Sequence, residues 1–171
     1  MKITYKPSLM KVKRTKTRFI IIHHTYELYR NPAAKVDGPG YQYPYLTAGS
    51  LELKDPDVNY NFVVENIKDD TQIIMARPFV YKCDFDDIPN NINDACIHIA
   101  LLGNYNLKIP SKRMYETIGY KLLAPLLKTF SLAPSRIKLH SEVSEDKDCN
   151  CPGDFVDKSV IESMARRFLK R

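Results

Sequence analysis

No stretch of this 171-residue sequence approaches the roughly 20 consecutive apolar residues that a bilayer-crossing helix requires. Membrane insertion is therefore not expected. A secretory signal is lacking as well. Met1 to Thr17 is basic, but no apolar run ending in small residues follows it. Action outside a cytoplasm would then depend on release or delivery by other means. Internal repeats and low-complexity linkers are missing, which argues against a repeat architecture. So are the repeated Cys/His pairs and the aromatic–basic motif of common nucleic-acid modules, and no nucleic-acid partner is expected.

What remains has the make-up of one globular domain. The apolar fraction is 44% and the charged fraction 27%, and the length suits a single hydrophobic core. The net charge of +6 favours polyanions (nucleic acid, anionic lipid or the anionic polymers of cell walls), and charge alone does not choose among them. Basic residues are spread along the chain except for Lys11, Lys13, Arg14, Lys16 and Arg18 near its start and Arg166, Arg167, Lys170 and Arg171 at its end. The four cysteines, Cys83, Cys96, Cys149 and Cys151, are expected as reduced thiols or metal ligands. A bond between Cys149 and Cys151 would close a very small, strained ring.

Residues 1–17 read as a basic, loosely packed arm and 18–171 as the domain. Arg18 to Thr25 is a short apolar run rich in β-branched residues, which predicts a buried central strand with polar groups at its end. Residues 26–57, broken by Pro32, Pro39, Pro44 and several glycines and carrying five tyrosines, read as a long functional loop. Tyr60–Glu65 and Thr71–Ala76 read as a hairpin. Residues 77–94 read as loop, and Ala95–Leu102 as another strand. Ser111 caps a predicted helix with an apolar stripe of Met114, Ile118, Leu122 and Leu126. Pro125 is expected to bend or divide that helix. Arg136–Leu139 is a short strand ending at His140. A last helix begins near Asp157, with Val160, Ile161, Met164 and Phe168 facing the core. The fold class is α/β: a single domain with a central mixed sheet flanked by helices.

Side chains able to do chemistry gather at predicted strand ends. His23 and His24 end the first strand, His140 ends the last, and Cys151 lies in the loop that follows. Two imidazoles and a thiolate are a ligand set zinc accepts, and catalytic zinc sites use three protein ligands. The same residues also allow a buried histidine beside an exposed one, and a cysteine that simply packs.

Four segments in order resemble the type-2 N-acetylmuramoyl-L-alanine amidases, which include amidase-type phage lysozymes and animal peptidoglycan recognition proteins. They are Phe19-Ile-Ile-Ile-His-His-Thr25, Val58-Asn-Tyr-Asn-Phe-Val-Val64, Ile97-His-Ile-Ala-Leu-Leu-Gly-Asn104, and Leu139-His-Ser-Glu-Val143 with Cys151-Pro-Gly153. The resemblance implies an amidase-like fold and a zinc ion held by His23, His140 and Cys151. It also implies a catalytic Tyr60 and hydrolysis of the amide between N-acetylmuramic acid and L-alanine in bacterial peptidoglycan. Lys147 is the nearest candidate for the family's catalytic lysine, and Glu142 a candidate to orient a ligand.

The chain departs from the family pattern in three places. The loop from His140 to Cys151 is longer than usual. Residues 79–94 replace the aromatic-His-Ala-Gly segment that many members carry. Ala100 stands where some members have a glutamate. Those departures keep open a peptidoglycan-binding module without catalysis. A structural zinc knot of His140, Cys149, Cys151 and His23 or His24 in a nucleic-acid-binding protein is the more distant alternative. The lack of a signal fits a phage lysin, a phage particle component or a toxin delivered by a secretion machine, acting on the cell wall, with a phage origin favoured.

Overall fold

A computed structural model of the protein describes residues 12–25, 60–67 and 70–170. Most of the basic arm, and the tyrosine-rich loop expected over 26–57, lie outside the described residues.

Five strands form one sheet in the order β3-β2-β4-β1-β5. They are β1 (Phe19–His24), β2 (Phe62–Ile67), β3 (Asp70–Met75), β4 (Cys96–Leu101) and β5 (Ile137–Leu139). β1 lies parallel to both β4 and β5, β2 is parallel to β4, and only β2 and β3 run antiparallel, as the hairpin reading requires. The mixed sheet matches the expected fold class. Both faces of β1 and β4 are covered, which explains their near-continuous apolar runs.

Alternation along the strands separates two faces. Ile20, Ile22, Phe62, Val64, Ile97, Ile99 and Leu101 point into the main core with the helices. Val63 and Ala100 point to the opposite face with Ile74 and Ala76, and Tyr60 packs against this second cluster. By the same period of two, Ile21, His23 and His98 fall on the Ala100 side.

Helix α2 (Lys112–Thr117) starts at Ser111, whose hydroxyl accepts from the Met114 N–H at 3.1 Å. The expected helix is then divided. A π-helical turn over Ile118–Leu123 separates α2 from α3 (Ala124–Thr129). The division falls just before Pro125, whose ring would collide with the Lys121 carbonyl in a regular α-helix. The Ala124 N–H instead reaches the Gly119 carbonyl, five residues back.

Gly119 also lets α4 (Lys158–Leu169) approach, because a Cβ there would lie 2.7 Å from the Met164 Cβ. Asp157 caps α4 by accepting from the Ser159 and Val160 N–H groups. Ile161 and Ala165 are its fully buried residues, with Val160 and Met164 at the core margin. Phe168, expected in the core, packs instead on the exposed Tyr120 ring at 5.0 Å.

The segment read as loop over 77–94 contains a single helical turn, α1 (Asn90–Asn93). Its earlier part bridges to the start of the chain, with Lys13 pairing with Tyr81. The Arg14 guanidinium donates to the Phe79 and Tyr81 carbonyls and to Asn61 Oδ1. Asn61 Oδ1 also accepts from the His98 N–H at 3.0 Å, so Arg14 braces the junction between β2 and β4.

Candidate metal centre

β1 and β5 are parallel neighbours, so His23 and His140 emerge at the same end of the sheet. The loop after His140 folds back to them, with the Ser141 N–H donating to the Cys151 carbonyl at 2.8 Å. Ligand atoms of His23, His140 and Cys151 all lie within 4.8 Å of one another, and all three residues are buried. Cys151 Sγ stands 3.9 Å from His23 Nδ1 and accepts from the His24 N–H at 3.4 Å.

Burial holds the His23 imidazole well below its ordinary pKa, with His98, His140 and His24 adding to the effect. His140 is lowered too, chiefly by burial, although Asp87 opposes the shift. Neutral rings have lone pairs to give a metal. Burial pushes the Cys151 thiol up to about 12, and the His24 N–H acts in the other direction. A cation would favour the thiolate outright. Two neutral imidazoles and a buried thiol in this spacing suit zinc.

His24, next along the strand, serves another purpose. Its Nδ1 accepts the Tyr105 N–H at 3.2 Å. The same turn carries the Tyr105 carbonyl, which accepts from the Phe155 N–H at 3.0 Å and ties down the loop after Cys151. Gly153 permits this approach, since it has φ +103° and a Cβ there would sit 2.5 Å from the Tyr105 carbonyl carbon.

Tyr60 lies just before β2, its ring centroid 5.2 Å from that of His23. Lys147 occupies an exposed turn of the loop leading to Cys151. Among the described residues, Glu142 makes no hydrogen bond to the His140 ring. It accepts the Leu139 N–H at 2.7 Å and pairs with Lys158 at 2.6 Å, capping the turn that carries His140. Cys149 Sγ is 3.8 Å from His140 Nδ1, but it groups with Asp87 and His140 rather than with His23 and Cys151. A closed four-ligand knot is thus not formed among the described residues. All four cysteines are free thiols.

Three residues that sequence reasoning passed over complete the surroundings. Asp87 Oδ2 lies 2.9 Å from His140 Nε2. His98 Nδ1 lies 2.9 Å from His23 Nε2. Phe85 stacks on both His23 and His98, at 4.6 Å from each. Phe85 and Asp87 come from the segment that replaces the aromatic-His-Ala-Gly stretch. His98 carried a readable signal: a histidine inside an apolar strand needs a partner once buried.

Comparison with curated protein sequences gave no match. Among solved structures, the chain is similar to the N-acetylmuramoyl-L-alanine amidase LysC from Clostridium intestinale URNW, with TM-score 0.64, 17% identity, and coverage of 97% of this chain and 95% of that one. The Ph2119 endolysin of a Thermus scotoductus MAT2119 bacteriophage gives TM-score 0.59, 16% identity and coverage of 94% and 92%. A variant of the Drosophila peptidoglycan recognition protein LB, solved with tracheal cytotoxin, gives TM-score 0.54, 19% identity and coverage of 89% and 88%. At these identities the likeness is one of fold. The sequence model for N-acetylmuramoyl-L-alanine amidase matches residues 13–154, most of the chain, and the protein belongs to that family.

Proposed function

We propose that the protein is a zinc-dependent hydrolase that cleaves the amide between N-acetylmuramic acid and L-alanine in bacterial peptidoglycan. The observation that carries this reading is the convergence of His23, His140 and Cys151, buried and within 4.8 Å, beside the Tyr60 ring. Family membership supports amidase chemistry. The cytotoxin-bound recognition protein supports a peptidoglycan fragment as ligand.

Zinc held there would supply a Lewis acid to activate water and polarise the scissile carbonyl. His23 and His140 contribute neutral nitrogens, and Cys151 contributes the thiolate charge. The Tyr60 hydroxyl donates to the oxygen on which negative charge grows. Lys147, exposed on the loop that carries Cys151, is the candidate second donor to the same oxygen. The likeness to endolysins favours a phage lysin or particle component acting on the cell wall.

A second reading keeps the grip on peptidoglycan and drops the cut. Ala100 and the replaced aromatic-His-Ala-Gly segment favour it. Elemental analysis of protein purified without added metal, followed by mass spectrometry of digested peptidoglycan, separates the two. The amidase reading expects about one zinc per chain and peptides with a free L-alanine amine. Zinc-loaded protein that binds the wall and releases no peptide establishes the second reading instead.

A further inference from the structure

We propose that His98 is a positioning residue that holds His23 in the one orientation and tautomer able to bind metal. The inference rests on the zinc reading above and adds a residue to it. His23 Nδ1 is the nitrogen turned toward Cys151. If that nitrogen gives its lone pair to a metal, the single proton of the neutral ring sits on Nε2. That N–H then points at His98 Nδ1, 2.9 Å away, and needs an acceptor there. His98 can accept only when its own proton is on Nε2, the tautomer in which its far edge remains a donor. His98 Nε2 is buried and makes no hydrogen bond among the described residues. One directed hydrogen bond, from His23 Nε2 to His98 Nδ1, then fixes the ring that carries the ligand atom.

The packing fixes this arrangement. Ala100 lies opposite His23 in the β1–β4 register, and His98 lies opposite Ile21. The small Ala100 side chain leaves space over the sheet in which the His23 ring can lean back toward His98. Phe85 closes that space, stacking on His23 at an interplanar angle of 18° and on His98 at 22°. Both histidines are almost wholly shielded from solvent, at 1% and 0% exposure, so water cannot replace either partner. Metal-ligating histidines generally give their second nitrogen to a carboxylate, a carbonyl or water. Here a second imidazole takes that part.

The test compares His98→Leu, which removes the acceptor at similar bulk, with His98→Asn, whose amide oxygen falls near the place of Nδ1. Zinc affinity is measured by competition with a chromophoric chelator, and the melting temperature of each metal-free protein is recorded. The expected result is a zinc dissociation constant raised about 10–100-fold in His98→Leu and largely restored in His98→Asn. Zinc affinity of His98→Leu within about threefold of the parent overturns the role of His98 and leaves the zinc reading intact. A parent protein that takes up no zinc overturns both. Nitrogen-15 NMR of the parent's histidine rings decides the matter even where His98→Leu does not fold. Nε2-protonated tautomers at both His23 and His98 are expected, and a proton on His98 Nδ1 overturns the proposal.

Discussion

Asp87 Oδ2 lies 2.9 Å from Nε2 of His140, while the opposite nitrogen of that ring faces the Cys149 thiol at 3.8 Å. The carboxylate is itself held, because the Ser144 hydroxyl donates to the same oxygen at 2.7 Å and the Glu145 N–H donates to the Asp87 carbonyl. Asp87 therefore sets the rotation of His140 and raises the basicity of the nitrogen left for the metal. Asp87→Ala should weaken zinc binding by about 10–100-fold, and Asp87→Asn by less, since its amide oxygen can still accept. Chelator competition measures both. Unchanged affinity in Asp87→Ala would mean that the contact is incidental.

Neighbouring residues in the two motifs should separate cleanly. His23→Ala and Cys151→Ser should lose zinc and activity together. His24→Ala should keep zinc but leave the Tyr105 N–H without its acceptor, at a cost of about 1–3 kcal/mol in stability. Cys149→Ser, at a half-buried position outside the three-residue group, should be far milder than Cys151→Ser. Zinc content by elemental analysis and urea midpoints for the four variants check the pattern. The reverse pattern would shift the register of both motifs.

Much of this site was legible because it sits where regular structure stops. A run of β-branched residues ending in His23 and His24 declares both the strand and its polar end, and Leu139-His140 does the same at the sheet edge. Alternation along β1 then sends adjacent histidines to different tasks. Asp87 and Phe85 left no such mark. They lie in a stretch with no period, and only the folding of that stretch over the sheet brings them to His23 and His140. The helix over 112–129 shows a similar boundary. Pro125 announces an interruption, but neither its π-helical form nor the close approach of Gly119 to Met164 follows from the apolar stripe.

Acid should destabilise the metal-free protein in a definite window. His24 is lowered from its ordinary 6.5 to about 4, mainly by burial, and His23, His98 and His140 are lowered as well. Each ring takes up a proton more readily when unfolded, so stability rises with pH in this range. It should be fully present above pH 6.5 and fall as the pH drops below it, with the His24 contribution levelling off near 4. The interval from about pH 6.5 to about 5 lies above the carboxylate range and isolates the histidines. Urea midpoints of chelator-treated protein across that interval provide the measurement. A flat profile would show that these rings are as easily protonated folded as unfolded.

Tyr60 offers the sharpest separation of catalysis from metal binding. Its ring lies against His23 and 5.5 Å from Phe85, and that contact is made by carbon atoms that Tyr60→Phe retains. The residue is only half-buried, so losing its hydroxyl removes little buried surface. Zinc content and melting temperature should therefore stay near those of the parent. The hydroxyl's contribution is expected only as the amide carbonyl becomes an oxyanion, a state absent from bound substrate. Removing one donor of this kind typically costs ~10²–10³ in rate, about 3–4 kcal/mol of transition-state stabilisation. The turnover number on soluble muropeptide should fall by that factor, while the apparent affinity for the muropeptide changes much less. A turnover within about twofold of the parent, with zinc intact, would make Tyr60 a packing residue of the His23 wall and leave the oxyanion to zinc and Lys147.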